Sequence, residues 1–266
     1  IIHIYDMFLN VIKSNQRRES MKKLMMSLLC CTVLTTGNVN AQGDSSTNSE
    51  SLKELQNEGI VSKSITEQQW QQMKAQERKD EAEFEKTAEV QWQKQQKQDR
   101  IDRENRSRKK KFHLKKGDFF ITNNVSSKGF TGHAAIYIGK GKVKEAPGYG
   151  KPVRVKSFSN WKKSTLKKRK GSPKHRYIKV YRAPKKYRGK AGSYAKSHFN
   201  GVPYSITTNP YSKSVTYCSK LVWQSYYYGA GRLSVLPVVT SQFIIEPYSL
   251  NQYIPVSYTH LTLPTK

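Results

Sequence analysis

Thr216-Tyr217-Cys218-Ser219-Lys220-Leu221-Val222-Trp223-Gln224 is the stretch whose reading decides the fold. Leu221, Val222, Ser225 and Tyr226 follow Cys218 at helical spacings, so the thiol shares one helix face with side chains that pack inward. Thr216 stands where a cap is wanted, and Gly229 where a stop is wanted, which predicts a helix over Thr216–Tyr228. A thiol at a helix N-terminus meets free N–H groups and partial positive charge, which favour thiolate over thiol. The same N–H groups can hold the oxyanion formed when a thiolate attacks a carbonyl. The competing reading of such a cysteine is a small buried hydrophobe.

Working outward, the other two cysteines fall away. Cys30 and Cys31 lie in the apolar run Leu24–Leu34, which follows the basic Met21-Lys22-Lys23 and precedes small residues ending at Ala41. That layout predicts a secretory signal over residues 21–41, cut after Ala41. Lipidation of Cys30 is disfavoured by the large Leu29 before it. A lone thiol in an exported protein cannot form an internal disulfide, so Cys218 reads as a reagent. Residues 1–20 read as upstream translation. The end of the chain, VSYTHLTLPTK at Val256–Lys266, resembles translated sequencing adapter, and residues 257–266 are set aside as a tail.

A thiol nucleophile needs a base. Gly132-His133-Ala134-Ala135-Ile136-Tyr137-Ile138-Gly139 predicts a strand that opens on His133, whose ring can project at the strand end. His198, near the end of an expected helix over Ala191–Phe199, is the rival; His113 and His175 lie in basic stretches without an ordered setting. The third group orients the imidazole. Gly139-Lys140-Gly141 suits a three-residue hairpin loop with Gly141 left-handed, which opposes Ala135 to Glu145 and puts His133 and Glu145 on one face as diagonal neighbours. A two-residue loop would turn Glu145 to the other face. Asn, Gln or a backbone carbonyl could replace Glu145, Asp118 reads as a turn former, and Tyr217 could contribute to the oxyanion site. With no CxxC, HExxH, Walker or dinucleotide pattern, no metal or cofactor is expected, and no GxSxG elbow supports a serine triad.

Charge divides the 266 residues unevenly. The formal net charge is +29, yet 16 of the 19 carboxylates precede His113. His113–Val256 holds only Asp118, Glu145 and Glu246 against 27 Lys and Arg, and Lys151–Lys190 holds 17 basic residues and no acid. Such a field concentrates anionic wall polymers or a membrane surface, and no specific nucleic-acid partner is expected of an exported protein. Residues 42–64 read as a Ser/Asn/Gly-rich linker. Ile65–Arg106 reads as one or two polar helices with an apolar stripe of Trp70, Met73, Phe84, Ala88 and Trp92, either leaning on the folded domain or solvated. Residues 42–112 thus form a linker and polar helical segment. Leu114–Thr122 reads as a turn feeding an apolar strand, and further strands are expected at His133–Ile138, Lys142–Ala146 and Tyr177–Arg182, giving an α+β domain over 113–256 of roughly 145 residues, enough for one sizeable core.

LKKGDFFITNN, GHAAIYIG with KVKEAPG, and TYCSKLVWQSYYYG, taken in this order, resemble the YiiX/YycO type of circularly permuted papain-like amidases. These are relatives of NlpC-type cell-wall hydrolases and lecithin:retinol acyltransferases. The resemblance covers about Leu114 to Gly231. It implies a papain-like core in which the Cys-bearing helix packs on an antiparallel sheet carrying the His. Cys218 matches the nucleophile, His133 the base and Glu145 the variable third position. The function that follows is a secreted or wall-associated cysteine hydrolase, an amidase or peptidase cutting cell-wall peptides through a thioester. The alternatives are a thioesterase or acyltransferase acting on lipid, and a cationic wall- or membrane-binding protein with a degenerate site.

Overall fold

The computed structural model describes residues 51–104, 112–124, 128–170, 172–236 and 244–262, all within one compact unit that begins at Ser49. The expected signal, the upstream residues and positions 42–50 lie outside the described residues. The frame is a six-stranded sheet in the order β4-β3-β2-β1-β5-β6. Its strands are β1 Phe119–Thr122, β2 His133–Gly139, β3 Lys142–Glu145, β4 Arg154–Ser157, β5 Ile178–Arg182 and β6 Tyr258–Thr262, and every neighbouring pair is antiparallel. The class is α+β, as the sequence predicts. β6 falls in the adapter-like tail. An open sheet edge accepts the backbone of any extended segment, so its pairing to β5 is a main-chain property.

Strand alternation gives the sheet two buried faces. Phe119, Ile121, Ala134 and Ile136 point to one side and join a core with helix α5 (Cys218–Ala230) and helix α4 (Lys185–Ser197). Phe120, Ala135, Val143, Ile178 and Val180 point to the other and pack under Trp161 and Leu166 of helix α3 (Phe158–Leu166). α4 begins earlier than the expected Ala191. β4 and α3 lie in the basic stretch that reads from sequence as surface charge. Ser157 starts α3 by accepting the Asn160 N–H.

The β2–β3 hairpin differs from expectation in a way that leaves its register intact. Its turn is two residues, Lys140 and Gly141, with φ of 50° and 69°, the doubly positive geometry of a tight hairpin. Gly139 pairs with Lys142 while Tyr137 pairs with Val143, so a bulge lies between them. The bulge absorbs the residue that the shorter turn would have displaced. Ile136 therefore pairs with Lys144, and the same register carries Ala135 opposite Glu145.

α5 also starts and stops later than predicted. Its N-cap is Tyr217, without a side-chain cap bond, and Thr216 Oγ1 donates to the Tyr217 carbonyl instead of capping the helix. Gly229 does not end the helix. It lies where α5 crosses α4, and a Cβ there would sit 2.6 Å from Tyr194 Cβ. The stop falls at Gly231, with φ of 90°.

The N-terminal segment is part of the fold. Helix α1 (Leu52–Asn57) is closed by a capping box between Ser51 and Glu54, and Leu52, Leu55, Ile60, Val61 and Ile65 are buried. The reading of residues 42–64 as linker therefore fails from Ser51 onward, where apolar spacing outweighs the Ser/Asn/Gly composition. Helix α2 (Glu67–Glu104) is a single helix, and it leans on the domain. Trp70, Met73, Phe84 and Ala88 of the predicted stripe enter the main core, with Trp92 packed at its margin. A polar seam runs beside them. Glu77 accepts the Thr131 N–H at 2.8 Å, Glu85 accepts from Asn123 at 2.7 Å, and Glu81 accepts from Tyr248 at 3.1 Å. Lys179 donates to the Phe84 carbonyl at 2.9 Å, and Tyr177 donates to Glu89.

Candidate active site

Cys218 is the first residue of α5 and is 1 % exposed. It belongs to the core on α5's side of the sheet. His133 opens β2 and Glu145 closes β3, so both stand at the same end of the sheet. Alternation assigns them to α3's side, because Ala135 and Val143, two residues along each strand, lie in that core. His133 bridges the two sides around the strand end. Its Nε2 lies 2.9 Å from Glu145 Oε2, and Cys218 lies close enough to its ring to help raise the imidazole. With Nε2 engaged by the carboxylate, Nδ1 is the nitrogen left for the thiol. The three residues predicted from sequence therefore come together at one end of the sheet.

Glu145 is held by more than His133. Trp161 Nε1 donates to Oε2 at 2.9 Å, and Arg154 Nε donates to Oε1 at 2.8 Å from the paired position on β4. Lys156 Nζ stands 3.9 Å from Oε1. Burial alone would raise the carboxyl, but the bonds and charges of His133 and Arg154 outweigh it and hold Glu145 well below the ordinary carboxylate range. Burial alone would likewise lower His133. The bonds to Cys218 and Glu145 outweigh that and hold the imidazole well above its usual value. Trp161 and Arg154 escape the sequence reading. The Trp inside an otherwise basic run was the available signal, and its side of the sheet is not that of the Cys helix.

The other candidates fall elsewhere. His198 is exposed, stacks on Tyr194 at a ring separation of 3.7 Å, and bonds the Tyr194 carbonyl. His175 stacks between Trp92 and Tyr177, and His113 is exposed. Asp118 does form its turn, accepting the Lys115 N–H at 2.8 Å, and it also takes a two-point contact from Arg182 at 2.8 and 2.6 Å. Tyr217 packs on Phe130, and its hydroxyl accepts the Ile245 N–H at 3.0 Å, which fastens residues 244–249 beside α5. Ser219 donates to the Ile245 carbonyl at 2.6 Å and fixes the same segment. Among the described residues no group of three or more His, Cys, Asp and Glu is placed to hold a metal ion.

An antiparallel α+β fold with a buried thiol–imidazole–carboxylate line at one sheet end is the class that these observations define. The chain belongs to the family described as lipoprotein N-acylation protein LnsA-like, whose model matches residues 88–263, a span that contains Cys218, His133 and Glu145. It is also similar to an uncharacterized 30.3 kDa protein of Bacillus thuringiensis, at 39% identity over 152 residues. That match covers 52% of this chain and 53% of the relative, about half the length of each. Among solved structures, the metalloprotein yiiX of Escherichia coli O157:H7 aligns over 58% of this chain and 99% of its own, at 15% identity and a TM-score of 0.41.

Proposed function

We propose that the protein is an exported cysteine acyltransferase that carries a fatty acyl group on Cys218 and passes it to an amine. The observation that carries this reading is the buried line Cys218–His133–Glu145, joined to membership in a family described by lipoprotein N-acylation. With the thiol's proton resting on the raised His133 imidazole, sulfur attacks the ester carbonyl of a donor lipid. The N–H groups at the start of α5 face the oxyanion, and His133 returns the proton to the departing alkoxide. The acyl group then sits on sulfur as a thioester. The acceptor amine attacks it, sulfur leaves, and His133 takes the amine's extra proton, which restores the starting pair.

Water exclusion supports transfer over hydrolysis. Cys218, His133 and Glu145 are all more than nine-tenths buried, and a thioester kept dry survives until an amine arrives. The cell-wall amidase suggested by the sequence uses the same centre with an amide donor and water as acceptor. The permuted papain-like arrangement is part of this proposal, since the base precedes the nucleophile in the chain. Export through residues 21–41 would set the centre outside the cytoplasmic membrane. There the stretch 146–245, which lacks Asp and Glu altogether, offers positive charge to anionic phospholipid.

The test is direct. Purified protein is mixed with phosphatidylglycerol vesicles bearing deuterated acyl chains and with a diacylglyceryl-cysteinyl peptide carrying a free α-amine. Mass spectrometry should find the deuterated chain on the peptide nitrogen, and Cys218→Ala should abolish it. Cleavage of muropeptides without any acylation of the peptide would overturn this reading in favour of the amidase.

A further inference from the structure

Glu145 has two oxygens and three close donors, and the donors are not equivalent. Arg154 holds Oε1 from a side chain that is 40% exposed, so it is free to exchange partners with water. His133 must gain and lose protons if it serves as the base. Trp161 is wholly buried, its ring seated on Phe120 at 4.8 Å and beside Phe158, and α3 is anchored by the Ser157 cap. Its indole N–H can only donate, and it donates to Oε2, the oxygen that also faces His133 Nε2.

We propose that Trp161 is a positioning residue of this centre. Its N–H fixes the rotamer and the acceptor character of Glu145, and so keeps one His133 proton on Nε2 and leaves Nδ1 to exchange its proton with sulfur and substrate. The effect of Trp161 on turnover rests on the acyl-transfer reading, whereas its hold on Glu145 stands on the geometry alone. A carboxyl proton on Oε2 would have to lie between two groups that already point hydrogens at that oxygen, so the site disfavours the neutral acid. Without the indole N–H, Oε2 is free to rotate away from Nε2. The imidazole then loses the bond that orients it, a role worth far more to a base than the bond's own energy. The cations and anions facing the pair are Arg154 and Lys156 around Glu145, and Cys218 beside His133, and all stay in place when the indole is altered.

Two variants separate positioning from core filling. Trp161→Phe keeps an aromatic ring without the N–H. Site-specific replacement of Trp161 by benzothienylalanine keeps the indole shape and deletes only the N–H, which guards against a variant that fails to fold. Each is read by the NMR titration of the His133 ring without substrate, and by the rate of acyl transfer. The expected result is a His133 titration moved toward the ordinary imidazole value and a kcat lowered roughly ten- to a hundredfold, as for other partners that orient a functional histidine. KM should stay within about twofold, and neither variant should cost anything further in a Glu145→Gln background. An unchanged His133 titration in the benzothienyl protein would overturn the proposal. Full acyl transfer by Cys218→Ala would instead sink the functional reading, while the titration would still decide the role of Trp161.

Discussion

Two buried glutamates, Glu145 and Glu246, show what environment does to one side chain. Glu145 sits at the sheet end with every oxygen engaged, and its native value lies below the ordinary one. Glu246 belongs to residues 244–249 and lies near Lys74, Glu77 and Asp80 of α2, and its Oε2 is buried without a hydrogen-bond partner. Burial first, and then the charges of Glu77 and Asp80, push Glu246 up to about 9 against the opposing pull of Lys74. The first carboxyl is a permanent charge suited to orienting an imidazole. The second, lacking donors, is pushed toward its neutral form. Donor supply, and not depth, separates the two, since both are about 95% covered by the fold.

The pH consequences have opposite signs. Glu145, lowered in the fold, contributes stability that is complete above its ordinary 4.5 and lost as pH falls toward its native value. His133, raised in the fold, contributes stability complete below 6.5 and lost as pH rises toward its native value. Glu246, also raised, contributes stability present below 4.5 and lost progressively as pH climbs to about 9.

The strongest way to break the contrast is at the site. Cys218→Ala and His133→Ala should each cut acyl transfer at least about 10³-fold while the unfolding midpoint stays near wild type. Wild-type turnover by either would leave the sheet end as mere core. Next comes the seam. Phe84 is buried under Lys179 Nζ, 4.3 Å from the ring centroid, and lies 5.1 Å from the Tyr248 ring. Phe84→Ala should cost about 3–5 kcal/mol in denaturant unfolding, and a cost under 1 kcal/mol would mean that α2 is a dispensable arm. Glu145→Gln should lower kcat by roughly 10²- to 10⁴-fold, since an amide can present its N–H to His133 and favour the wrong tautomer. Glu246→Gln should be the mildest. Calorimetry should show it matching wild type near pH 4 and melting a few degrees higher at pH 8, and a lower midpoint at both would show that Glu246 is charged and paired.

Much of the site was legible because its signals are local. Cys218 announces itself by scarcity and by the apolar spacing behind it, and His133 by the strand it opens. The pairing of β2 with β3 was legible although its loop was not, because burial of Ala135 and Val143 fixes the face and the bulge adjusts to suit. Trp161 and Arg154 were not legible. Their approach to Glu145 depends on β4 and α3 folding over the far side of the sheet, and no periodicity within a basic run encodes that. α1 was hidden for a different reason. Its apolar residues, Leu52, Leu55, Ile60, Val61 and Ile65, are thinly spread through polar neighbours and gain their meaning only against Ile206, which bridges to Val61. The stripe on α2 marked a buried face, whereas its carboxylates read as solvated until Thr131, Asn123, Tyr177 and Tyr248 supplied the partners.

The central claim is that Cys218 carries the acyl group, and trapping it is the most direct measurement. The protein is incubated with acyl-labelled phosphatidylglycerol vesicles in the absence of any amine acceptor, quenched in acid and digested. The account predicts the acyl mass on the peptide containing Cys218, removed by neutral hydroxylamine and absent from His133→Ala. Acyl transfer to a lipopeptide with Cys218 never modified, or an acyl group found on another residue and resistant to hydroxylamine, would contradict it.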